Sequence, residues 1–231
     1  MTTSPSLFTR ASDTLLAPAR AFDTHLRDPR YGALLAVLTL ATLAFHALFF
    51  LRLDYAWFAE HLRATLPAAL RRELPADFAV TRASVFLPAV VSAALKPTVL
   101  VTALAGWLAV VGRVRGTGPG FVQCMAIAAW SALPWLLVLP LELVETLRQG
   151  SGQVALEDVD PTTLNALVWH LEVGDRGYGL ATGVSLATLW SAVLCAIGVR
   201  RAMGTGWAGS AAIVAPAWLA ALAPAIVLAA A

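Results

Sequence analysis

The chain has 231 residues, of which 59% are apolar and only 13% charged, with a mean hydropathy of +0.74. Soluble domains carry about 25% charged residues, so the composition excludes disorder, collagen, coiled coils and most nucleic-acid binders. A formal charge of +2, from 16 basic and 14 acidic residues, steers toward neither nucleic acid nor an acidic substrate.

Residues 1–32 carry Arg10, Asp13, Arg20, Asp23, Arg27, Asp28 and Arg30 before any long apolar run. A secretory leader places its apolar region much nearer the start, so the first span is expected to be an uncleaved anchor. Within this tail Pro18 opens a helical pattern with Ala19, Phe22 and Leu26 on one face and Pro29 as its stop. Two placements are open for that helix: flat in the headgroup layer, or packed in the cytosol against the chain's own short loops.

Five uninterrupted apolar runs follow, at residues 33–51, 86–111, 121–144, 178–199 and 207–231. A hydrocarbon core about 30 Å thick needs about 20 helical residues at 1.5 Å each, and every run meets that length. Only Lys96 and Glu142 place a charge inside them. The runs are apolar on all sides and show no alternation, which favours buried transmembrane helices over soluble core helices or a membrane barrel. The expectation is an all-α polytopic bundle of five spans, a single integral membrane domain over residues 1–231. Cys124 and Cys195 fall inside these runs as small hydrophobes, so neither a disulfide framework nor a zinc site is expected.

The connecting segments differ in character. Between Asp54 and Arg82, Tyr55, Trp57, Phe58, Leu62, Leu66 and Leu70 interleave with charges, and Pro67 and Pro75 break the pattern. This reads as one or two short interfacial helices. The segment 145–177 begins with Gln149, Gly150, Ser151 and Gly152. Asp160 before Pro161 then predicts a re-entrant or interfacial helix with Ala166, Leu167, Trp169 and Leu171 on its apolar face. Gly116, Gly118 and Gly120 predict a tight turn between spans two and three.

Arginine placement predicts orientation, because basic residues concentrate in short cytoplasmic loops. The loop after span two carries Arg113 and Arg115, and that after span four carries Arg200 and Arg201, with no acid in either. The segment 145–177 is acidic. These loops put the N-terminus inside and the C-terminus outside, leaving both long loops on the outer face. Arg52, Arg63, Arg71, Arg72 and Arg82 in the first long loop run against that assignment.

The intramembrane charges are the sharpest candidates for chemistry. A charge near mid-span costs about 2.5–3.5 kcal/mol, so Lys96 and Glu142 either form an ion pair lining a polar cavity or snorkel to the outer surface. Pro97, next to Lys96, permits a kink. His46 is expected to bond across to another helix. Gly179 and Gly183 form a GxxxG pair at the start of span four, suited to close helix packing within the bundle or in a homo-oligomer. Pro134, Pro140, Pro216 and Pro224 are expected to interrupt spans three and five, a hint toward transport. No HExxH, GxSxG or GxxxxGK[ST] motif is present. Hence no enzyme activity, cofactor or metal site is expected.

The stretch Pro18, Ala19, Arg20, Ala21, Phe22 followed by Pro29 resembles the start of bacterial members of the Yip family, the Ypt-interacting membrane proteins. Phe121 to Pro134 is similar to that family's middle span. So is the last third, from Leu189, Trp190 and Ser191 through Ala196, Ile197, Gly198 and Val199 to Arg200 and Arg201. The resemblance covers most of the chain on apolar motifs. It implies a five-span α-helical membrane protein with a cytosolic N-terminus. Eukaryotic relatives are associated with Rab-type GTPases and carry an Asp-Leu-x-Gly-Pro motif, which Asp28, Pro29, Arg30, Tyr31 and Gly32 do not reproduce. That departure makes a GTPase partner doubtful and transfers no functional residue. Fifteen arginines against one lysine suit a GC-rich bacterial genome. The function expected is scaffolding or membrane organisation in the inner membrane, in contact with the lipid bilayer and with itself or other membrane proteins. The alternative is a small-solute or proton-linked transporter or channel subunit using Lys96 and Glu142.

Overall fold

A computed structural model of the chain describes residues 5–66, 68–73, 79–116 and 118–230, with the side chains of 68–70 and 224–230 left aside. It is all-α, with eleven helices and no strand among those residues. They are α1 Leu7–Leu16, α2 Pro18–Arg27, α3 Gly32–Arg52, α4 Tyr55–Thr65, α5 Ala68–Glu73, α6 Arg82–Val114, α7 Phe121–Ser131, α8 Leu133–Arg148, α9 Tyr178–Gly183, α10 Leu186–Met203 and α11 Trp207–Ala230. Gly32–Arg52, Arg82–Val114, Phe121–Arg148 and Leu186–Met203 are long and apolar enough to cross a membrane. α11 runs for 24 residues without a charged side chain.

Local chemistry sets the helix ends. Ser6 Oγ accepts from the Thr9 amide at 3.1 Å to open α1, and Pro18 fits the first turn of α2, where its missing N–H is no loss. Asp54 Oδ1 accepts from the Ala56 and Trp57 amides to open α4. The Gln123 side chain accepts from the Gly120 amide at 2.9 Å ahead of α7.

Three sequence expectations need correction. The fourth apolar run is not one helix: α9 ends at Gly183, and α10 begins only at Leu186. Between them Leu164 N donates to Val184 O at 2.8 Å and Leu186 N to Thr162 O at 3.0 Å. This short antiparallel pairing takes backbone groups that a continuous helix would have used. The helix expected after Pro161 shrinks to a single π-turn at Asn165–Trp169. His170 leaves it in the left-handed region, and Asn165 closes the loop through bonds to both Leu171 N and Leu171 O. The prolines interrupt less than expected. Helix breaks near Pro134, at Ala132, but α8 runs through Pro140 and α11 through Pro216, because one missing donor leaves the flanking bonds intact. The side chain of Pro224 is not described, and Pro67 and Pro75 lie outside the described residues. The first long loop does hold short helices, α4 and α5.

The chain divides into two compact units, each assembled from three stretches. The first comprises Met1–Leu40, Leu95–Leu136 and Thr188–Ala220. Its interior is built on Phe22, Leu34, Leu108, Ile127, Trp130 and Leu194, with Ala105, Cys124, Ala126, Ala128, Ala129 and Cys195 between them. Small residues let backbones approach, and in lipid that van der Waals contact is what holds helices together. Gly198 shows how close the approach is: a Cβ there would stand 2.8 Å from Ile127 Cγ2 and 3.1 Å from the Phe22 ring. In the turn ahead of α7, a Cβ on Gly118 would clash with the Gly112 backbone.

The second unit comprises Ala41–Ala94, Leu137–Ala187 and Ala221–Ala231. Phe45, Phe49, Phe50, Leu53, Val154 and Val159 form its interior, with Phe58, Phe86 and Leu143 packed on them.

Replacing Gly198 with Leu should destabilise the first unit by about 1–3 kcal/mol, the usual range for overpacking, with Gly198→Ala intermediate. Limited proteolysis of the detergent-solubilised protein reads this out. Faster cleavage within residues 7–27 is expected, and cleavage at the native rate would show that the Phe22 contact is not limiting.

Candidate functional site

The richest polar constellation in the first unit sits where the N-terminal helices meet the ends of α7 and α10. It begins with a helix-terminus problem. α2 ends at Arg27; beyond it Asp28 N still bonds Thr24 O at 2.9 Å and Arg30 N bonds Asp28 O at 2.8 Å, and further donors to the carbonyls of this turn come from other elements. Three side chains supply them. Gln123 Nε2 donates to Leu26 O at 2.9 Å, Arg10 to Asp28 O at 3.0 Å, and Trp130 Nε1 to Arg30 O at 3.0 Å.

Arg10 is only 4% exposed, and its guanidinium also pairs with the Asp28 carboxylate. Arg30 Nε donates to the other oxygen of that carboxylate at 2.9 Å. Partial desolvation of Asp28 opposes ionisation, but the hydrogen bonds from Arg10 and Arg30 outweigh it and hold the carboxyl below its ordinary range. On the outer side of α2, Arg201 Nε donates to Asp23 Oδ1 at 2.7 Å and so ties the end of α10 to the N-terminal hairpin.

His25 lies at the centre, 1% exposed and stacked on Trp130 with centroids 4.3 Å apart and planes 4° from parallel. Thr14 Oγ1 donates to Arg10 O at 2.7 Å, so at 2.9 Å it accepts from His25 Nε2. That pattern selects the Nε2–H tautomer and leaves Nδ1 without a donor. Burial, reinforced by the Arg10 charge, lowers the His25 pKa to about 4. The imidazole is therefore neutral near pH 7, with its acceptor Nδ1 buried. The arrangement is chemically a clamp.

A second polar group occupies the second unit. Gln153 Nε2 donates to Asp54 Oδ2 at 2.9 Å, and Asp54 N to Gly152 O at 3.0 Å. His61, stacked on Trp57, meets Glu157 at 2.9 Å. Tyr178 Oη donates to Asp158 Oδ1 at 2.7 Å. These bonds tie α4 and the start of α9 to the 152–160 segment.

The residues singled out from sequence lie elsewhere. Lys96 is exposed on α6 in the first unit. Glu142 is half-buried on α8 in the second, where Thr146 Oγ1 donates to its carbonyl at 2.8 Å. Gly179 and Gly183 belong to α9 rather than to the start of the long fourth helix. A Cβ at Gly179 would meet open space, and one at Gly183 would touch Leu222 at 3.6 Å. His46 Nδ1 donates to Thr42 O at 2.9 Å, one turn back in its own helix. Cys124 and Cys195 are free and buried. Sequence reasoning missed the clamp. Its signals were Arg10 and Thr14 four apart on α1, and Phe22 and His25 three apart on α2.

Because the folded pKa of His25 is lowered from 6.5 to about 4, the unfolded chain takes up the proton first. The clamp's contribution is then whole above pH 6.5 and declines as the pH falls toward 4. Hydrogen exchange of residues 7–27 should accelerate between pH 6.5 and 4.5 beyond the intrinsic trend, and His25→Gln should flatten that excess. An identical excess in both proteins would rule out His25 as the cause.

Comparison with known proteins adds the family. Neither curated proteins nor solved structures give a match to this chain. The family model of the Yip1 domain matches residues 12–228. That span takes in the hairpin's Thr14, Phe22 and His25, Trp130 on α7, and Arg201 on α10. With its apolar helices and a match over nearly its whole length, the chain belongs to the Yip family of membrane proteins.

Proposed function

We propose that this protein is a five-span, non-enzymatic scaffold of the inner membrane, with its N-terminus in the cytosol and its C-terminus outside, contacting other membrane proteins or further copies of itself. The observation that carries this reading is the use made of polar groups in the first unit. Arg10, Asp28, Gln123, Trp130, Asp23 and Arg201 are all engaged in fastening the N-terminal hairpin, and none is left facing a reaction centre. Such fastening suits a rigid platform.

The alternation of the spans, in either orientation, draws support from the way loops gather within each unit. The N-terminal hairpin, the start of α7 and the end of α10 meet in the first unit. The 54–61 and 152–158 segments meet in the second. Helices that cross the membrane in alternating directions bring together the loops of one side in this way.

Small-solute or proton-linked transport through Lys96 and Glu142 is the second reading. It is favoured by one fact: these are the only charges in apolar runs otherwise free of them.

Two experiments test these readings. In a Cys124→Ala, Cys195→Ala background, single cysteines at Arg115 and Thr205 should resist a membrane-impermeant maleimide in intact cells, while those at Glu60 and Gln153 should react. The reverse pattern would invert the topology. Lys96→Met and Glu142→Gln, singly and together, should leave solute and proton flux in proteoliposomes unchanged. Loss of flux in protein that still inserts and folds would sink scaffolding as the whole role. A double variant that recovers stability lost in each single one would identify a structural pair.

A further inference from the structure

Beside the clamp, the first unit carries a groove of about 320 Å³, lined by Ala17, Pro18, Ala19, Arg20, Ile197, Arg200, Arg201 and Trp207. That volume sits at the low end of ligand pockets, about 300–1,000 Å³. Its floor is apolar and its rim holds three guanidinium groups. Arg201 is committed to Asp23, and Arg20 reaches Asp13 at 3.4 Å, the outer limit of an exposed pair. Arg200 is exposed, and its guanidinium stands 4.9 Å above the centre of the Trp207 ring. With two aspartates against three arginines, the rim keeps a net positive charge centred on Arg200.

The groove's position says what solvent it meets. It lies between the last turn of α10 and the first turn of α11, where apolar helices end and a tryptophan stands, as at a membrane interface. α1 supplies an independent sign. Phe8 is 81% and Leu16 85% exposed, eight residues apart and so about 80° apart around the helix, both within one broad apolar side, and Leu16 directly precedes Ala17 of the groove. Two large side chains so exposed suit burial in the headgroup and acyl boundary.

We infer that this groove binds an anionic phospholipid: Arg200 and Arg20 take the phosphate at the rim, and an acyl segment of the same lipid lies on the apolar floor. Arg200 is held in position by Trp207, and a guanidinium fits phosphate oxygens in a two-pronged bond. Ile197, Pro18 and Ala19 offer the chain a surface without hydrogen-bond demand. The Asp23–Arg201 pair forms one wall and is not a ligand. This inference rests on membrane embedding alone and stands apart from both the scaffold and the transport readings.

The test uses the purified full-length protein in detergent, titrated with phosphatidylglycerol, phosphatidylcholine or inorganic phosphate. Native mass spectrometry reads the bound lipid, and the melting temperature reads its effect. Phosphatidylglycerol should be retained at one per chain and raise the melting temperature, while phosphatidylcholine and phosphate should do neither. Arg20→Gln with Arg200→Gln should weaken phosphatidylglycerol binding about tenfold or more, and Arg113→Gln should leave it unchanged. Ala19→Phe, which fills the floor and keeps every charge, should also displace the lipid, so the inference remains testable if the arginine variants fold poorly. Equal retention of the two lipids, a response to phosphate alone, or native binding by the Ala19→Phe protein would each overturn it.

Discussion

A backbone carbonyl that leaves a helix end inside a packed structure must find a donor, because a buried unpaired carbonyl costs several kcal/mol. Between Leu26 and Arg30 the chain leaves α2 and has not yet entered α3. Side chains from other elements reach the carbonyls of Leu26, Asp28 and Arg30, and Asp28 O also accepts from Arg30 N at 2.8 Å. Gln123, Arg10 and Trp130 are therefore constrained together. Once Trp130 is turned to reach Arg30 O, its ring forms the surface on which His25 stacks. Once Arg10 is buried to reach Asp28 O, its charge requires the Asp28 carboxylate beside it. Phe22 and Gly198 then set how closely the hairpin can sit.

The second unit meets the same requirement differently. Its loop from Asp160 to Tyr178 answers backbone with backbone: Thr162 and Leu164 pair with Leu186 and Val184. Asn165 alone serves both polar groups of Leu171. The result is a folded segment where the apolar pattern calls for helix. In this unit the side-chain pairs, Gln153 with Asp54 and Tyr178 with Asp158, join segments, and Asp54 caps α4 with its other oxygen.

These two solutions explain what could be read from the sequence. The apolar runs were legible because burial in lipid demands length and continuity, and the positions of α3, α6, α7 with α8, and α11 follow from that demand alone. α2 was legible from Pro18, Pro29 and the spacing of its apolar residues, but its burial was not. Whether Phe22 faces lipid or protein depends on Ile127 and Gly198, more than 70 residues away and each unremarkable in its own run. The break at Val184 was hidden because apolar residues serve a strand-like pairing as readily as a helix. The clamp was hidden for a related reason. Arg10, Asp23 and Asp28 look like ordinary solvated charges until tertiary contacts bring Arg201 and the Asp28 carbonyl to them. Lys96 and Glu142 stood out because charge inside an apolar run is conspicuous, which is a statement about contrast and not about chemistry.

The clamp also bears on how one set of arginines can do two tasks in sequence. Orientation is decided while a span inserts, by Lys and Arg near its ends, and acidic residues contribute little to that decision. Under the proposed orientation, Arg10, Arg30 and Arg201 contribute to that decision as cations on the cytosolic side. After insertion the helices pack, and these arginines find Asp28 and Asp23, which lie in the same N-terminal tail and were neutral bystanders to orientation. Under the proposed orientation the aspartates of this tail leave the topological signal intact, and in the packed state they compensate one buried guanidinium, Arg10, and two exposed ones, Arg30 and Arg201. Removing Asp28 would strand the buried Arg10 guanidinium in the packed state, whereas removing Arg10 would, under the proposed orientation, weaken the insertion signal as well. The two partners of that pair are therefore not interchangeable in effect, although they share one bond.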